Sequence, residues 1–590
     1  NAFAEVDLGL KGLKYKFNVG IDKKTRRNYN YTYPYNFGSQ SSNNVTQLRE
    51  GTDWQNLWMI ENTLHYDNTF GKHNLSALLG YSAQRDNSRS FSAGRNSLPN
   101  LIYVIDAGDP ATATTGGSAW ANTLVSMFAR FMYSYDDRYM LSASIRRDGS
   151  SKFADGHRYG NFPSVSAGWN MMNEEFFSNL KNTVNELKIR ASYGVLGNLN
   201  GIGNYDTQSI VQYGNNAVQG NSWWLGGITG HNWTSPANVT WEETKTWDIG
   251  IDAGLFNNKL TFSADYFVQN TNGMLISVNQ PSSFGLSGSP VMNAALVENK
   301  GLELSINHRN TVGEFFYNVG FNATFLKNNL KEIQTPSRQE FTGFDPHAGG
   351  PVTYATEGKP IGYFNVIKSL GIFQSVDEIK AYVNDKGEMI QPKAKPGDLK
   401  FEDYNGDGII SEADKQDCGS PYPKMTMGLT LGAQWKDFDL NLFFDGSFGN
   451  KIFSGMRYSI VKNEGVGNQL GEMRNAWNEN NKNTDVPRYY DGTGDDMTTK
   501  AYTDRWLENG SFFRLKTLEV GYTLPKTLTN KLTLQNVRVY SAMSNLFTAT
   551  SYSGYTPDLG MLDGSVMTRG CDDGRFPVAR TFTFGLQVNF

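Results

Sequence analysis

The chain has 590 residues and a formal net charge of −4, with 39% hydrophobic and 13% aromatic residues, among them 30 Tyr and 36 Phe. Its mean hydropathy is −0.49, and no stretch nears the ~18 apolar residues of a spanning helix, which excludes a helical membrane protein. A membrane β-barrel stays open, because its strands expose apolar side chains on one face only. The slightly acidic balance gives no footing for nucleic acid, and two Cys with six His suit neither a disulfide scaffold nor a structural zinc site.

Asn1 to Leu10 already alternates as a strand, with no signal peptide before it. The chain is therefore expected to be an internal or processed fragment. Leu57 to Phe70 meets Asn74 to Ser82 across Gly71-Lys72-His73, and Ser126 to Tyr135 meets Tyr139 to Ile145 across Asp136-Asp137-Arg138. Trp247 to Leu255 and Leu260 to Val268 are joined by Phe256-Asn257-Asn258-Lys259. Phe315, Tyr317, Val319, Phe321, Ala323 and Phe325 alternate with polar or small residues, as do Met425, Met427, Leu429, Leu431, Ala433 and Trp435, which turn at Lys436-Asp437 into Phe438 to Phe444. The last segment repeats the pattern with Phe582, Phe584, Leu586, Val588 and Phe590. Period-two alternation of this kind puts one apolar set on one face of a strand.

Between these tight hairpins lie long connections, roughly 26–50, 198–240, 271–296, 329–423, 451–508 and 551–576. Short turns alternating strictly with long loops predict an all-β, transmembrane antiparallel barrel of the outer membrane, with short turns periplasmic and long loops outside. The template gives about 17 strands. Bacterial single-chain barrels have even strand numbers, and an open edge in hydrocarbon would cost on the order of tens of kcal/mol. The expectation is therefore most of an about 22-stranded transporter barrel, with its first strands and plug outside residues 1–590, and residues 329–423 as a long extracellular loop. A soluble propeller or solenoid is the competing fold, but no self-similarity at ~40–50 residues supports it.

Asp403-Tyr-Asn405-Gly-Asp407-Gly408-Ile409-Ile-Ser411-Glu412-Ala-Asp414 matches an EF-hand loop at its first, third, fifth and sixth positions. Side-chain oxygens of Asp403, Asn405 and Asp407, the Ile409 carbonyl, Ser411 through water, and Asp414 form the expected calcium set, with Glu412 an alternative to the shorter Asp414. A solvated Asn/Asp/Gly turn is the plain reading of the same residues. Trp223, Trp224 and Trp233 would either face ligand or pack their own loop. The run Arg146-Arg147-Asp148-Gly149-Ser150-Ser151-Lys152 would meet anionic lipid, a partner, or only solvent. Cys418 and Cys571 both fall in external loops, and their pairing is left open. No nucleophile motif, His-Glu-x-x-His or phosphate loop is present, so an enzyme is not expected.

Several segments together resemble the SusC-like branch of TonB-dependent transporters: Glu61 to Tyr66, Leu79 to Ser82, Arg146 to Phe153, Phe162 to Trp169, Arg190 to Gly194, Gly197-Asn198, Trp241-Glu242, Asn299 to Glu303, Pro360 to Phe364, Gly371 to Ser375, Pro396 to Lys400, Trp506 to Leu515, Asn545 to Phe547, Tyr552 to Tyr555 and Arg580 to Gly585 with the terminal Phe590. The resemblance runs over residues 1–590. It implies import of oligosaccharides or peptides across the outer membrane, driven through TonB by a region outside this chain. It also implies a SusD-like surface lipoprotein as a lid, and allows a dimer of such transporter–lipoprotein pairs. A passive porin-like or structural barrel, and a secreted adhesin, are the competing functions.

Overall fold

The computed structural model describes residues 1–38, 41–99, 101–208, 211–213, 217–219, 222–224, 227–229, 238–278, 290–335, 340–346, 349–461, 468–490 and 492–590. Among them no helix is long and apolar enough to cross a membrane. The dominant element is a 17-stranded sheet. In chain order its strands are β1 (Ala2–Asp7), β2 (Leu13–Thr32), β3 (Gln47–Phe70), β4 (His73–Asn96), β5 (Thr114–Tyr135), β6 (Tyr139–Ser150), β7 (Tyr159–Asn170), β8 (Val184–Asn198), β9 (Glu242–Leu255), β10 (Leu260–Asn272), β11 (Ala295–Val312), β12 (Phe315–Ile333), β13 (Met425–Trp435), β14 (Phe438–Phe448), β15 (Phe512–Thr523), β16 (Asn536–Thr550) and β17 (Thr581–Asn589). β3–β4, β5–β6 and β13–β14 pair as the expected hairpins, and β9 and β10 occupy the two strand spans expected on either side of Phe256–Lys259.

The chain divides into two compact units. The first comprises Asn1–Trp169, Ala191–Thr246 and Thr271–Ala294. Here β1 to β7 pair in sequence order, each antiparallel to the next. One face carries Tyr15 and Phe17, Leu79 and Tyr81, and Met127 and Phe131, all exposed. Asn62 shares that face, and the Tyr15 hydroxyl donates to its Oδ1 at 2.6 Å, so the amide carbonyl is not left bare. The opposite face is filled differently. A Cβ on Gly80 would collide with the Phe128 ring, so glycine here lets an aromatic lie flat on the strand.

The strands of this unit run much further than the alternation predicts. β2 to β5 are 20, 24, 24 and 22 residues long, about twice the ~9–11 needed to cross a bilayer. The connection expected over 26–50 is in fact strand as far as Thr32 and again from Gln47. Beyond the apolar band charged and amide residues interrupt the apolar set, with Trp54 and Phe91 scattered among them, so the hydrophobic alternation ends while the hydrogen-bond ladder continues.

The motif residues quoted above also meet in this unit. Phe153, Phe162, Val195, Ile202, Val239, Trp241 and Leu275 form one buried cluster. The Trp241 ring lies 5.2 Å from Phe153 and 5.3 Å from Phe162, and its indole N–H donates to the Arg158 carbonyl at 3.0 Å. Glu242 accepts from Asn198 Nδ2 at 2.9 Å and from the Leu275 N–H at 3.0 Å. The basic run beside it is committed inward to the protein rather than left loose. Arg146 bonds Asp148 and Ser126 at 2.7 Å each, Arg147 lies 5.0 Å over the Tyr159 ring, and the Lys152 amine donates to the Ile202 carbonyl at 2.8 Å.

The second unit comprises Asn170–Arg190, Trp247–Asn270 and Ala295–Phe590. β11 to β17 again pair in order, antiparallel. The three apolar sets picked out by period two fall into register: Val319, Leu431, Leu442, Leu518, Met543 and Phe582 follow one another across six strands. This face stays uncovered, with Phe584 80% and Leu586 65% exposed, as lipid contact requires. The other face holds ion pairs. Arg538 reaches Asp439 at 2.9 Å and Glu519 at 2.6 Å, and its guanidinium lies over Gly521, where a Cβ would strike it. Lys436 turns β13 into β14 at φ +54°.

Candidate functional site

The long connections of the second unit do not hang as separate loops. They share a core. Residues 334–424, 449–511 and 551–580 supply Val352, Phe364, Val366, Phe453, Tyr458, Val461, Ala501, Trp506 and Cys571, every one buried. None of these residues belongs to β11–β17. Short strands stitch the three together: Lys451–Ser454 pairs antiparallel with Leu507–Asn509 and parallel with Cys571–Asp572, and Ile367 bridges Thr503. A second cluster of Ile367, Leu399 and Phe401 lies under the first connection.

This folded cap bears an open cleft of about 550 Å³, lined by Gly349, Gly350, Glu412, Tyr458, Tyr490, Gly492, Asp496, Thr499, Lys500 and Tyr502. Three phenol rings, two carboxylates and one amine border it. Lys500 bonds Asp496 at 2.7 Å, which raises the Lys500 pKa. Burial pushes the Tyr502 phenol up, and Lys415 sits 4.4 Å over its ring. At Gly350 the backbone takes φ +97° and runs against the Tyr502 ring, so a side chain would be excluded twice over. Among the described residues its lining holds no His and no nucleophile–base pair. The described lining offers aromatic rings and paired charges, groups suited to stacking and hydrogen bonding.

The calcium-type loop abuts this cleft through Glu412. Asp414 is fully buried and clamps both ends of the loop. Its Oδ1 accepts from the Tyr404 and Asn405 N–H groups at 3.0 and 3.3 Å, and its Oδ2 from the Ser411 N–H at 2.8 Å. Asp403 accepts from Gly406 and Gly408, both at 2.9 Å, Asn405 from Asp407 at 2.9 Å, and Asp407 from Ile409 at 3.0 Å. The Ser411–Asp414 capping box fixes the turn that presents Glu412, and Glu412 bonds Lys415 at 2.8 Å. Among the described residues no three His, Cys, Asp or Glu side chains converge as a metal cluster.

Trp223 and Trp224 sit on a short strand, Ser222–Trp224, paired with Ala217–Gln219. Their side chains, and Trp233 altogether, lie outside the described residues. Cys418 and Cys571 are free thiols that pack on the same core. Burial pushes Cys418 up to about 12 and Cys571 up as well. The cleft residues Tyr458, Tyr490, Asp496, Lys500 and Tyr502 were not foreseen from sequence. The available signals were a local density of Tyr between 489 and 502 and the Gly349-Gly350 pair.

Residues 4–546 match the family described as TonB dependent receptor-like, beta-barrel. The chain is 35% identical over 546 residues to TonB-dependent receptor P3 of Formosa agariphila, covering 90% of this chain and 52% of that protein. It is 27% identical over 572 residues to TonB-dependent receptor SusC of Bacteroides thetaiotaomicron, covering 94% and 52%. The chain thus spans about half the length of these curated relatives. The structure of the RagAB peptide transporter aligns with a TM-score of 0.82 at 25% identity, covering 100% of this chain and 61% of that one. The chain belongs to the TonB-dependent receptor-like β-barrel family, and its sheet is barrel wall in an outer membrane.

Proposed function

We propose that this chain forms wall and ligand chamber of an active importer of large nutrients, oligosaccharides or peptides. TonB drives it through a region outside these residues, and a SusD-like surface lipoprotein closes over its loops. The observation that carries the reading is the folded cap: three long connections build one rigid core and present one tyrosine-lined cleft. A pore that only admits solute needs no such cap. The similarity to SusC supports the class, and the similarity to a peptide transporter supports peptide as one of the two candidate cargoes. A deletion strain should lose growth on one oligosaccharide or peptide source. The full-length gene should restore it, and Tyr490→Ala should restore it only partly, with uptake down several-fold. Uptake that survives collapse of the proton-motive force would identify a passive pore instead.

The calcium ion is proposed on the donor set alone, in EF-hand order: Asp403, Asn405, Asp407, the Ile409 carbonyl, Ser411 and Asp414. Hydrogen bonds already close the loop, so the ion would stiffen a turn that holds Glu412 at the cleft. Wild-type protein is expected to resist proteolysis within residues 396–420 better in calcium than in chelator. Asp403→Ala with Asp407→Ala should erase that difference. Identical digestion of the wild type in both conditions would leave a hydrogen-bonded turn and no ion.

A further inference from the structure

The apolar face of the first unit does not stop at bare polar strand. Its register continues upward in defined rungs. Tyr15, Leu64 and Leu79 lie side by side, then Phe17, Asn62 and Tyr81, then Ile21, Trp58 and Arg85. Two residues on come Lys23, Asn56 and Asn87, then Thr25, Trp54 and Arg89, then Arg27, Thr52 and Phe91. Residues directly opposite in a ladder share a face, so Lys23, Arg27, Arg85 and Arg89 stand on the lipid-facing side, just above the apolar band. Trp54 and Trp58 are interleaved with them and both are exposed.

Charge is sorted between the two faces. Asp22, Asp53 and Asp86 have the opposite parity and point away from this patch, where Asp53 and Asp86 accept from Asn28 and Gln55. The named rungs hold no carboxylate; one rung further on, opposite Tyr29, Glu50 shares the face and pairs with Arg27 at 2.9 Å. Arg85, Arg89 and Lys23 have no acidic partner among the described residues. The neighbouring strand β5 offers Thr123, Ala121, Ala119 and Gly117 in the same rungs. These short side chains leave an open flank beside both guanidinium groups. Lys24 and Arg26 lie on the other face of the same strand.

We propose that this patch binds the phosphorylated sugar headgroup of an outer-leaflet glycolipid. Guanidinium groups pair bidentately with phosphate, indole rings sit at the membrane interface and stack on sugar faces, and the apolar rungs directly below receive the acyl chains. Continuity with the apolar band is what selects a lipid over a soluble anion. The proposal rests on the sheet being outer-membrane wall and is independent of the import reading.

The test uses the purified full-length protein in detergent, titrated with fluorescent diphosphoryl lipid A and with the same lipid after dephosphorylation. R85Q/R89Q is expected to weaken diphosphoryl lipid A binding by about tenfold or more, and W54A/W58A by a few-fold. Dephosphorylated lipid should bind wild type and R85Q/R89Q alike. K24Q/R26Q removes the same charge from the opposite face and should change nothing. Heat-modifiable migration on a gel checks that each variant is folded. Unchanged binding in R85Q/R89Q, an equal loss in K24Q/R26Q, or full displacement by millimolar inorganic phosphate would overturn the proposal. Import by R85Q/R89Q measured alongside keeps the two readings separate.

Discussion

Trp506→Ala is expected to destabilise the loop cap by about 3–5 kcal/mol while the sheet stays formed. Trp506 is completely buried. Its ring packs edge-on to Tyr458 at 5.4 Å, with the Arg505 and Arg457 guanidinium groups 4.5 and 5.8 Å from it. Its indole N–H donates to the Lys500 carbonyl at 2.8 Å. Alanine would remove the largest side chain of the core, leave a cavity, and strand that carbonyl. The damage should be local, because the core draws every member from the connections and none from the long strands. Limited proteolysis should therefore cut the variant within residues 334–424 and 449–511 well before the wild type, with heat-modifiable migration retained. Uptake should fall too, since Tyr458 and Lys500 border the cleft. Trp506→Phe should lie between the two. Wild-type protease resistance in Trp506→Ala would show that the connections are held without this core.

The contrast between strands and cap explains what could be read beforehand. Lipid on one side demands an apolar residue at every second position, so Val319, Leu431 and Phe582 announced both their strands and their shared face. The demand lapses above the membrane. Arg85 and Arg89 continue β4 with no apolar period to mark it, so the strand ends were misplaced although the hairpins were right. The cap obeys no period at all. Val352, Tyr458, Trp506 and Cys571 meet across more than 200 positions of chain through irregular backbone, and nothing local in the sequence records such contacts. Asp414 shows the intermediate case. Its place in a twelve-residue loop was legible, but its three N–H partners and its burial depend on the fold.

Asp398→Ala should be the most damaging single change among the cap's polar residues, at about 3–5 kcal/mol. The Asp398 side chain is 1% exposed and takes a 2.7 Å bond from Arg488 Nε. Its Oδ2 accepts from the Lys395 N–H at 2.8 Å and the Asp495 N–H at 3.2 Å. Gln391 extends the network, donating to Asp495 at 2.9 Å and accepting from the Phe401 N–H at 2.8 Å. One carboxylate thus joins residues 391–401 to 488–498, the stretch leading straight into the cleft wall at Asp496 and Lys500. Alanine would take this carboxylate from the Arg488 cation, itself 13% exposed, and leave two buried backbone N–H groups unmatched. Removing a buried acceptor that serves three donors at once is what makes the loss large, rather than the strength of the ion pair itself. The double variant Asp398→Leu with Arg488→Met removes both charges of the pair and fills the space, so it should be cleaved more slowly than Asp398→Ala alone. If the two single changes and the double change simply add, the pair does not act as a unit, and the strap bearing Asp496 and Lys500 is positioned by the apolar core instead.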